Sequence, residues 1–171
     1  MRVLVTGGVR SGKSRHAEAL LDDRPRVDYL APGPVPGPED PEWAARVAAH
    51  QAARPGHWRT VETIDVATAL DPGTPALVDC LGTWLAAQLD DLRAWDTTGW
   101  EPAFRDRLDA LVAAVEAHED VVVVTNEVGM GVVPGHASGR VFRDLLGSTN
   151  QRVAVVCDEV HLVVAGRVLT L

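Results

Sequence analysis

The sequence predicts an α/β fold: a mostly parallel β-sheet flanked by helices, with an antiparallel C-terminal hairpin at one edge. Three observations carry this expectation. Short apolar, β-branched runs alternate with helical segments along the chain, the pattern of parallel strands joined by crossover helices. The first such unit has a glycine-rich turn between strand and helix. The last two apolar runs are separated by Ala165-Gly166-Arg167, too short for a crossover and sufficient for a tight hairpin.

The first unit organises the rest. Val3, Leu4 and Val5 read as a buried strand. Gly7, Gly8, Val9, Arg10, Ser11, Gly12, Lys13 and Ser14 then fit G-x-x-x-x-G-K-[ST], the phosphate-binding loop. A helix over 14–21 follows, with Ala17, Leu20 and Leu21 on one face. Strand, loop and helix together give the context that this motif requires, so the fold is of P-loop NTPase type. Gly7 and Gly12 let the backbone turn where a Cβ would clash, aiming successive N–H groups at phosphate oxygens. The helix that follows turns its positive end toward the same anion. Lys13 is placed to reach the β- and γ-phosphates and the Ser14 hydroxyl to ligate Mg²⁺. Lys13 is also the only lysine in the chain; every other basic residue of the Lys/Arg class is arginine.

Composition sets limits on the rest. A chain of 171 residues with 46% apolar residues suggests one domain, residues 1–171, with an ample core. No apolar run reaches membrane-spanning length. The chain enters a strand at once, so no signal peptide is expected and a cytoplasmic enzyme is the natural reading. The net charge of −8 argues against general nucleic-acid affinity, so a phosphorylated ligand must be held by local positive groups. Cys80 and Cys157 stand far apart, without C-x-x-C spacing, and read as reduced buried thiols.

Residues 26–31 (RVDYLA) read as a second strand. The Pro/Gly-dense stretch 32–41 cannot be regular structure and reads as a surface loop. Asp40 looks like an N-cap with Pro41 at the first helical position, opening a helix over 42–53 that stops near Pro55. On it Trp43, Val47, His50 and Arg54 form one stripe, ending unusually in a histidine and an arginine. Taken alone, His50 reads as a structural or surface histidine, as do His16, His57, His118, His136 and His161. Residues 58–62 read as a short extended segment.

Residues 76–80 (ALVDC) read as a strand carrying Asp79 near its end. An acid at the carboxyl end of a strand beside the loop strand is the usual partner of Mg²⁺. The other reading of Asp79 is a helix N-cap. Helices over 81–93 and 101–118 follow, joined by the turn Asp96-Thr97-Thr98-Gly99. Residues 120–125 (DVVVVT) read as a central strand covered on both faces. The segment 126–134 leaves its carboxyl end, the edge where open parallel sheets bind ligands. Glu127 there is a candidate for contacting substrate or Mg²⁺, or else a loop cap. A helix over 137–151 places Arg140 and Arg143 on one face, as anion ligands or as solvated arginines. Residues 152–157, 159–164 and 168–171 read as three final short strands.

Several stretches together resemble one family: GGVRSGKSRHAEAL, RVAAHQAARPGHWRTVE, LVDCLGTWL, TNEVGMGVVP and FRDLLGSTNQRVAVVCDEVHLVVAG. The chain is similar, from Met1 almost to its end, to the bifunctional adenosylcobinamide kinase / adenosylcobinamide-phosphate guanylyltransferases of cobalamin biosynthesis. The second and fourth stretches are far more specific than the phosphate loop. The resemblance implies that His50, and not His57, is the guanylylated histidine. It implies GTP contacts from Gly7 to Ser14, from Ala31, Pro32 and Gly33, from Gln51, Ala52, Ala53 and Arg54, from Glu62 and from Asp79, with Mg²⁺ on Ser14 and Asp79. The family often carries Glu where this chain has Asp79, and a shorter acid would reach Mg²⁺ through a water. The proline-rich loop here also departs from the family pattern at Pro32 and Gly33.

The implied substrates are adenosylcobinamide and its phosphate, with GTP as guanylyl donor and ATP or GTP as phosphate donor. The implied assembly is a homotrimer with the site near a subunit boundary. No N-K-x-D guanine motif is present; Thr125-Asn126-Glu127-Val128 is not one, which weighs against a GTPase switch. Two rival readings remain: a monofunctional small-molecule kinase that leaves His50 idle, and a regulatory nucleotide-binding module without turnover.

Overall fold

The computed structural model describes residues 1–33, 41, 44, 45, 47, 48 and 55–171. Its elements are β1 (Arg2–Gly7), α1 (Lys13–Ala19), β2 (Asp28–Ala31), β3 (Arg59–Glu62), α2 (Val66–Ala69), β4 (Ala76–Asp79), α3 (Leu81–Asp91), α4 (Glu101–Ala117), β5 (Val121–Val124), α5 (Ala137–Val156), β6 (Glu159–Val164) and β7 (Arg167–Thr170). The strands form one seven-stranded sheet in the order β3-β2-β4-β5-β1-β6-β7. Every pairing is parallel except β6 with β7, which is antiparallel. No helix among the described residues is long and apolar enough to cross a membrane.

The central strands are apolar on both faces because both faces are covered. Alternation along each strand sorts their side chains into two cores. Val121 and Val123 of β5, Leu4 of β1 and Val78 of β4 pack with α3, α4 and α5 through Leu81, Leu85, Leu108, Leu111, Leu146 and Val153. Val122 and Val124, Val3 and Val5, and Leu77 face the other side, where Ala17 of α1 and Leu21 cover them. The buried carboxylate of Asp28 on β2 is paired by Arg59 of the neighbouring β3, whose Nε donates to Oδ1 at 2.9 Å. That bond ties the outer strand β3 to the sheet.

Two expectations need correction, and one element was not foreseen. Residues 152–156 are not a strand: they continue α5 to Val156, so two final strands remain, not three. Their β-branched composition favours a strand, yet Leu146, Thr149 and Val153 form one buried stripe at helical spacing, and burial of that stripe decides. Next, Asp79 does not end a strand beside the loop strand. β4 pairs with β2 and β5, and β5 lies between β4 and β1. Last, the one-turn helix α2, capped by Asp65 accepting from Thr68 N at 3.2 Å, is too short to show periodicity and had no sequence signature. Pro41, Ala44, Ala45, Val47 and Ala48 are helical. The N-cap reading of Asp40 and the positions of Trp43, His50 and Arg54 lie outside the described residues.

Val155 is 84% exposed on the last turn of α5. Val155→Ala should therefore raise stability by up to roughly 0.6 kcal/mol, the helix propensity gain. In a strand the same change would lower it. Urea unfolding followed by circular dichroism distinguishes the two signs.

Candidate nucleotide site at the carboxyl edge of the sheet

The turn between β1 and α1 is built by close approach. A Cβ on Gly7 would lie 2.5 Å from the Val163 carbonyl oxygen and 2.7 Å from Ser11 Oγ, so only glycine fits between β6 and the returning loop. Arg10 and Gly12 both adopt positive φ, 55° and 97°, which curls the backbone into a concave loop. Ser11 N donates to Gly8 O at 3.3 Å, and the β6–β7 turn braces the outside, with Gly166 N donating to Ser11 O at 2.8 Å. That turn has positive φ at Ala165 and Gly166, as a two-residue hairpin requires.

The loop fits an anion. Among the described residues no side chain caps the N-terminus of α1, so none of them competes there for its first N–H groups. The Ser11 hydroxyl is buried without a hydrogen-bond partner among the described residues. Lys13 Nζ makes a long 3.5 Å contact to Gly8 O, within its own loop. This is a cradle whose donors suit the oxygens of a phosphate group.

The other expected contacts lie along the same edge. Asp79 ends β4, and the buried Tyr29 hydroxyl donates to its Oδ2 at 2.9 Å. Ala31 ends β2, with Pro32 buried and Gly33 half-buried after it. Glu62 ends β3 and is exposed. At about 4.8 Å per strand, the four steps from β1 to β3 span roughly 19 Å. The structure thus sets Gly7 to Ser14, Asp79, Ala31 and Glu62 along one edge and not around one point. His50, Gln51, Ala52, Ala53 and Arg54 lie outside the described residues. His57 is described and exposed.

Between the cradle and Asp79 runs the segment after β5. Glu127 N donates to Gly7 O at 3.2 Å. Asn126 Oδ1 accepts from the Cys80 thiol at 3.3 Å, and Asn126 O accepts from Asn150 Nδ2 at 3.1 Å. Glu127 Oε1 accepts from Gly129 N at 2.8 Å, so the loop-cap reading describes its contact. Arg143 Nη2 donates to Gly129 O at 3.0 Å, and Arg140 Nη1 donates to Pro134 O and Gly135 O at 3.1 and 2.8 Å. Both arginines hold the loop, Arg140 from an exposed position and Arg143 from a half-buried one. Both cysteines are free thiols. Burial raises the pKa of Cys80, and pushes that of Cys157 up to about 12, so both stay protonated near neutrality.

Sequence reasoning missed a histidine pair under the loop. His16 Nε2 lies 2.9 Å from His161 Nδ1, and His161 Nε2 lies 2.8 Å from Glu159 Oε2. His16 is on α1 and the other two are on β6, so only the packing of helix on strand brings His16 to His161. Burial, and then the neighbouring His161, lower the pKa of His16 from 6.5.

Residues 3–171 match the family model described as cobinamide kinase / cobinamide phosphate guanyltransferase. The chain is 44% identical over 178 residues to the bifunctional adenosylcobalamin biosynthesis protein CobU of Salmonella typhimurium, with 97% of each chain covered. It is 42% identical over 178 residues to the protein of the same name from Escherichia coli, again over 97% of each. Among solved structures, a prototypical ATPase from the type III secretion system of pathogenic bacteria is similar at a TM-score of 0.54 and 13% identity. That match covers 94% of this chain and 50% of the ATPase, so the chain spans about half its length. The likeness is one of fold.

Two outcomes follow from this geometry. Gly7→Ala should cost about 1–3 kcal/mol, the usual penalty of overpacking, and should abolish nucleotide binding. Gly8→Ala, where an added Cβ meets nothing within 4 Å, should leave the urea midpoint nearly unchanged. Urea unfolding and calorimetric nucleotide titration measure both. For His16, the folded value lies below the unfolded 6.5, so the unfolded chain takes up the proton first. Its contribution is therefore whole above about pH 6.5 and is lost as pH falls through the folded value. Urea midpoints should drop from pH 7.5 to pH 5.5, and His16→Asn should flatten part of that slope.

Proposed function

The chain belongs to the cobinamide kinase / cobinamide phosphate guanyltransferase family, and from that premise we propose that one nucleotide site serves both reactions within a single domain. The protein is an enzyme of adenosylcobalamin biosynthesis. It phosphorylates adenosylcobinamide on its aminopropanol hydroxyl and transfers GMP from GTP to the phosphate, giving adenosylcobinamide-GDP. The observation that carries the single-site reading is the continuous edge from the Gly7–Ser14 cradle past Asp79 to Glu62.

In this reading an extended nucleoside triphosphate lies along that edge. Its phosphates sit in the cradle, and its base points toward Ala31, Pro32, Gly33 and Glu62. GTP serves the transferase step, and ATP or GTP the kinase step. Ser14 and Asp79 would hold Mg²⁺, which supplies neutralisation of phosphate charge when bound. In the kinase step the substrate hydroxyl oxygen attacks the γ-phosphorus, the bond to the β–γ bridging oxygen breaks, the nucleoside diphosphate leaves, and the hydroxyl proton passes to solvent. Lys13 and the loop N–H groups take up the charge growing on the β–γ bridge and the γ-oxygens. In the transferase step His50 attacks the α-phosphorus of GTP, the bond to the bridging oxygen breaks, and pyrophosphate leaves. The phosphoramidate-linked GMP then passes to the substrate phosphate, returning His50. A nucleophilic imidazole must be neutral, and the positive charge of Arg54, four residues further on in the sequence, would favour that state. Gln51, Ala52 and Ala53 complete the nucleotide contacts. We assign the enzyme to the cytoplasm and to a homotrimer; the exposed Val168 and Leu169 of the edge strand β7 suit an interface between copies.

Labelled GTP tests this. Label in the α position should remain on the protein through an acid-labile, base-stable bond, and γ label should not. His50→Ala should abolish the adduct and guanylyl transfer while leaving phosphorylation largely intact. Lys13→Ala should remove both. An adduct that survives His50→Ala would move the assignment to His57, and a wild type with no adduct would leave a monofunctional kinase.

A further inference from the structure

The loop after β5 is held in place yet presents apolar side chains to solvent. Residues 128–135 (VGMGVVPG) carry no charged or hydrogen-bonding side chain. Met130 is 81% exposed, Val132 96% and Val133 56%. Ordinary loops bury such groups or lack them, since leaving them in water forgoes about 25 cal/mol per Å². Here the backbone is pinned instead: Arg143 holds the Gly129 carbonyl, Arg140 holds those of Pro134 and Gly135, and Glu127 holds the Gly129 N–H. The side chains are thereby kept outward on a fixed frame.

The root of this loop lies in the site. Glu127 N bonds the carbonyl of Gly7 in the phosphate cradle, and Asn126 contacts Cys80, next to Asp79. The geometry points to residues 130–133 as the platform on which the macrocycle of the corrinoid substrate rests while its aminopropanol arm reaches the γ-phosphate. This rests on the corrinoid reading above. Three observations choose this occupant. The platform has no charge, so it is not a further phosphate or nucleotide subsite. Eight residues offer on the order of a few hundred Å², well below the ~800 Å² per partner of a stable protein interface. Its root at Glu127 is bonded to the cradle at Gly7, and the acceptor must sit within reach of the phosphoryl group transferred there. A corrin is a broad, methyl-edged ring bearing neutral amides, which suits an apolar ledge with backbone groups of glycine exposed between the side chains.

The test is the double variant Met130→Ser/Val132→Ser, assayed with adenosylcobinamide varied at saturating GTP. The KM for the corrinoid should rise roughly tenfold or more. The KM for GTP, the α-labelled protein adduct and the sedimenting mass should stay as in the wild type. The pair Met130→Leu/Val132→Ile should keep the wild-type corrinoid KM. An unchanged corrinoid KM in the serine variant would overturn the proposal. A fall in sedimenting mass matching the loss would also overturn it, making the loop an interface between copies. A wild type that phosphorylates no corrinoid would bring down the underlying reading instead, and that result appears before any substitution is made.

Discussion

The approach of β6 to the phosphate loop at Gly7 is the constraint from which the site is built. A single added carbon there would meet the Val163 carbonyl at 2.5 Å. With no side chain in the way, the chain leaves β1, folds back over Ser11 and enters α1 while staying bonded to the β6–β7 turn through Gly166. The same strand β6 carries His161, which meets His16 on α1. Loop, helix and hairpin are thus one packed unit, and the anion cradle is its upper surface. A motif usually described as strand, loop and helix has a fourth part here, the terminal hairpin.

The sheet converts that local unit into a long binding edge. Alternation along β1, β4 and β5 buries both faces, so nothing but the ends of the strands is left for ligands. Asp79, Ala31 and Glu62 reach the edge because their strands run parallel to β1 and end at similar heights. β5 separates Asp79 from the cradle by one strand, and the segment leaving β5 fills that gap with Asn126 and Glu127. Arg140 and Arg143, read as anion ligands or solvated arginines, each place one guanidinium nitrogen on carbonyls of that segment. A guanidinium with five fixed donors is well suited to clamping residues 128–135, which have no polar side chains of their own.

Much of this was legible in the residues. The phosphate loop announces itself because its chemistry needs particular residues at particular spacing, and the strands at 76–79 and 121–124 because burial on two faces demands continuous apolar runs. The stretch RVAAHQAARPGHWRTVE was equally telling for the family, although His50 to Arg54 lie outside the described residues. Where reading failed, a nonlocal effect had prevailed. Residues 152–156 are β-branched, but the stripe from Leu146 to Val153 is buried against α4 and the sheet, and it carries them into the helix.

By itself the sequence determined the fold class, the phosphate cradle and the family, since each is written in local pattern or in motif. Only the tertiary structure decided that β5 stands between β1 and β4, that Gly166 braces Ser11, that His16 meets His161, and that Met130 and Val132 face outward. Those facts depend on strand order and on contacts between segments distant in the chain. Strand order is set by how whole helices and strands share two cores, and no short window of residues encodes it.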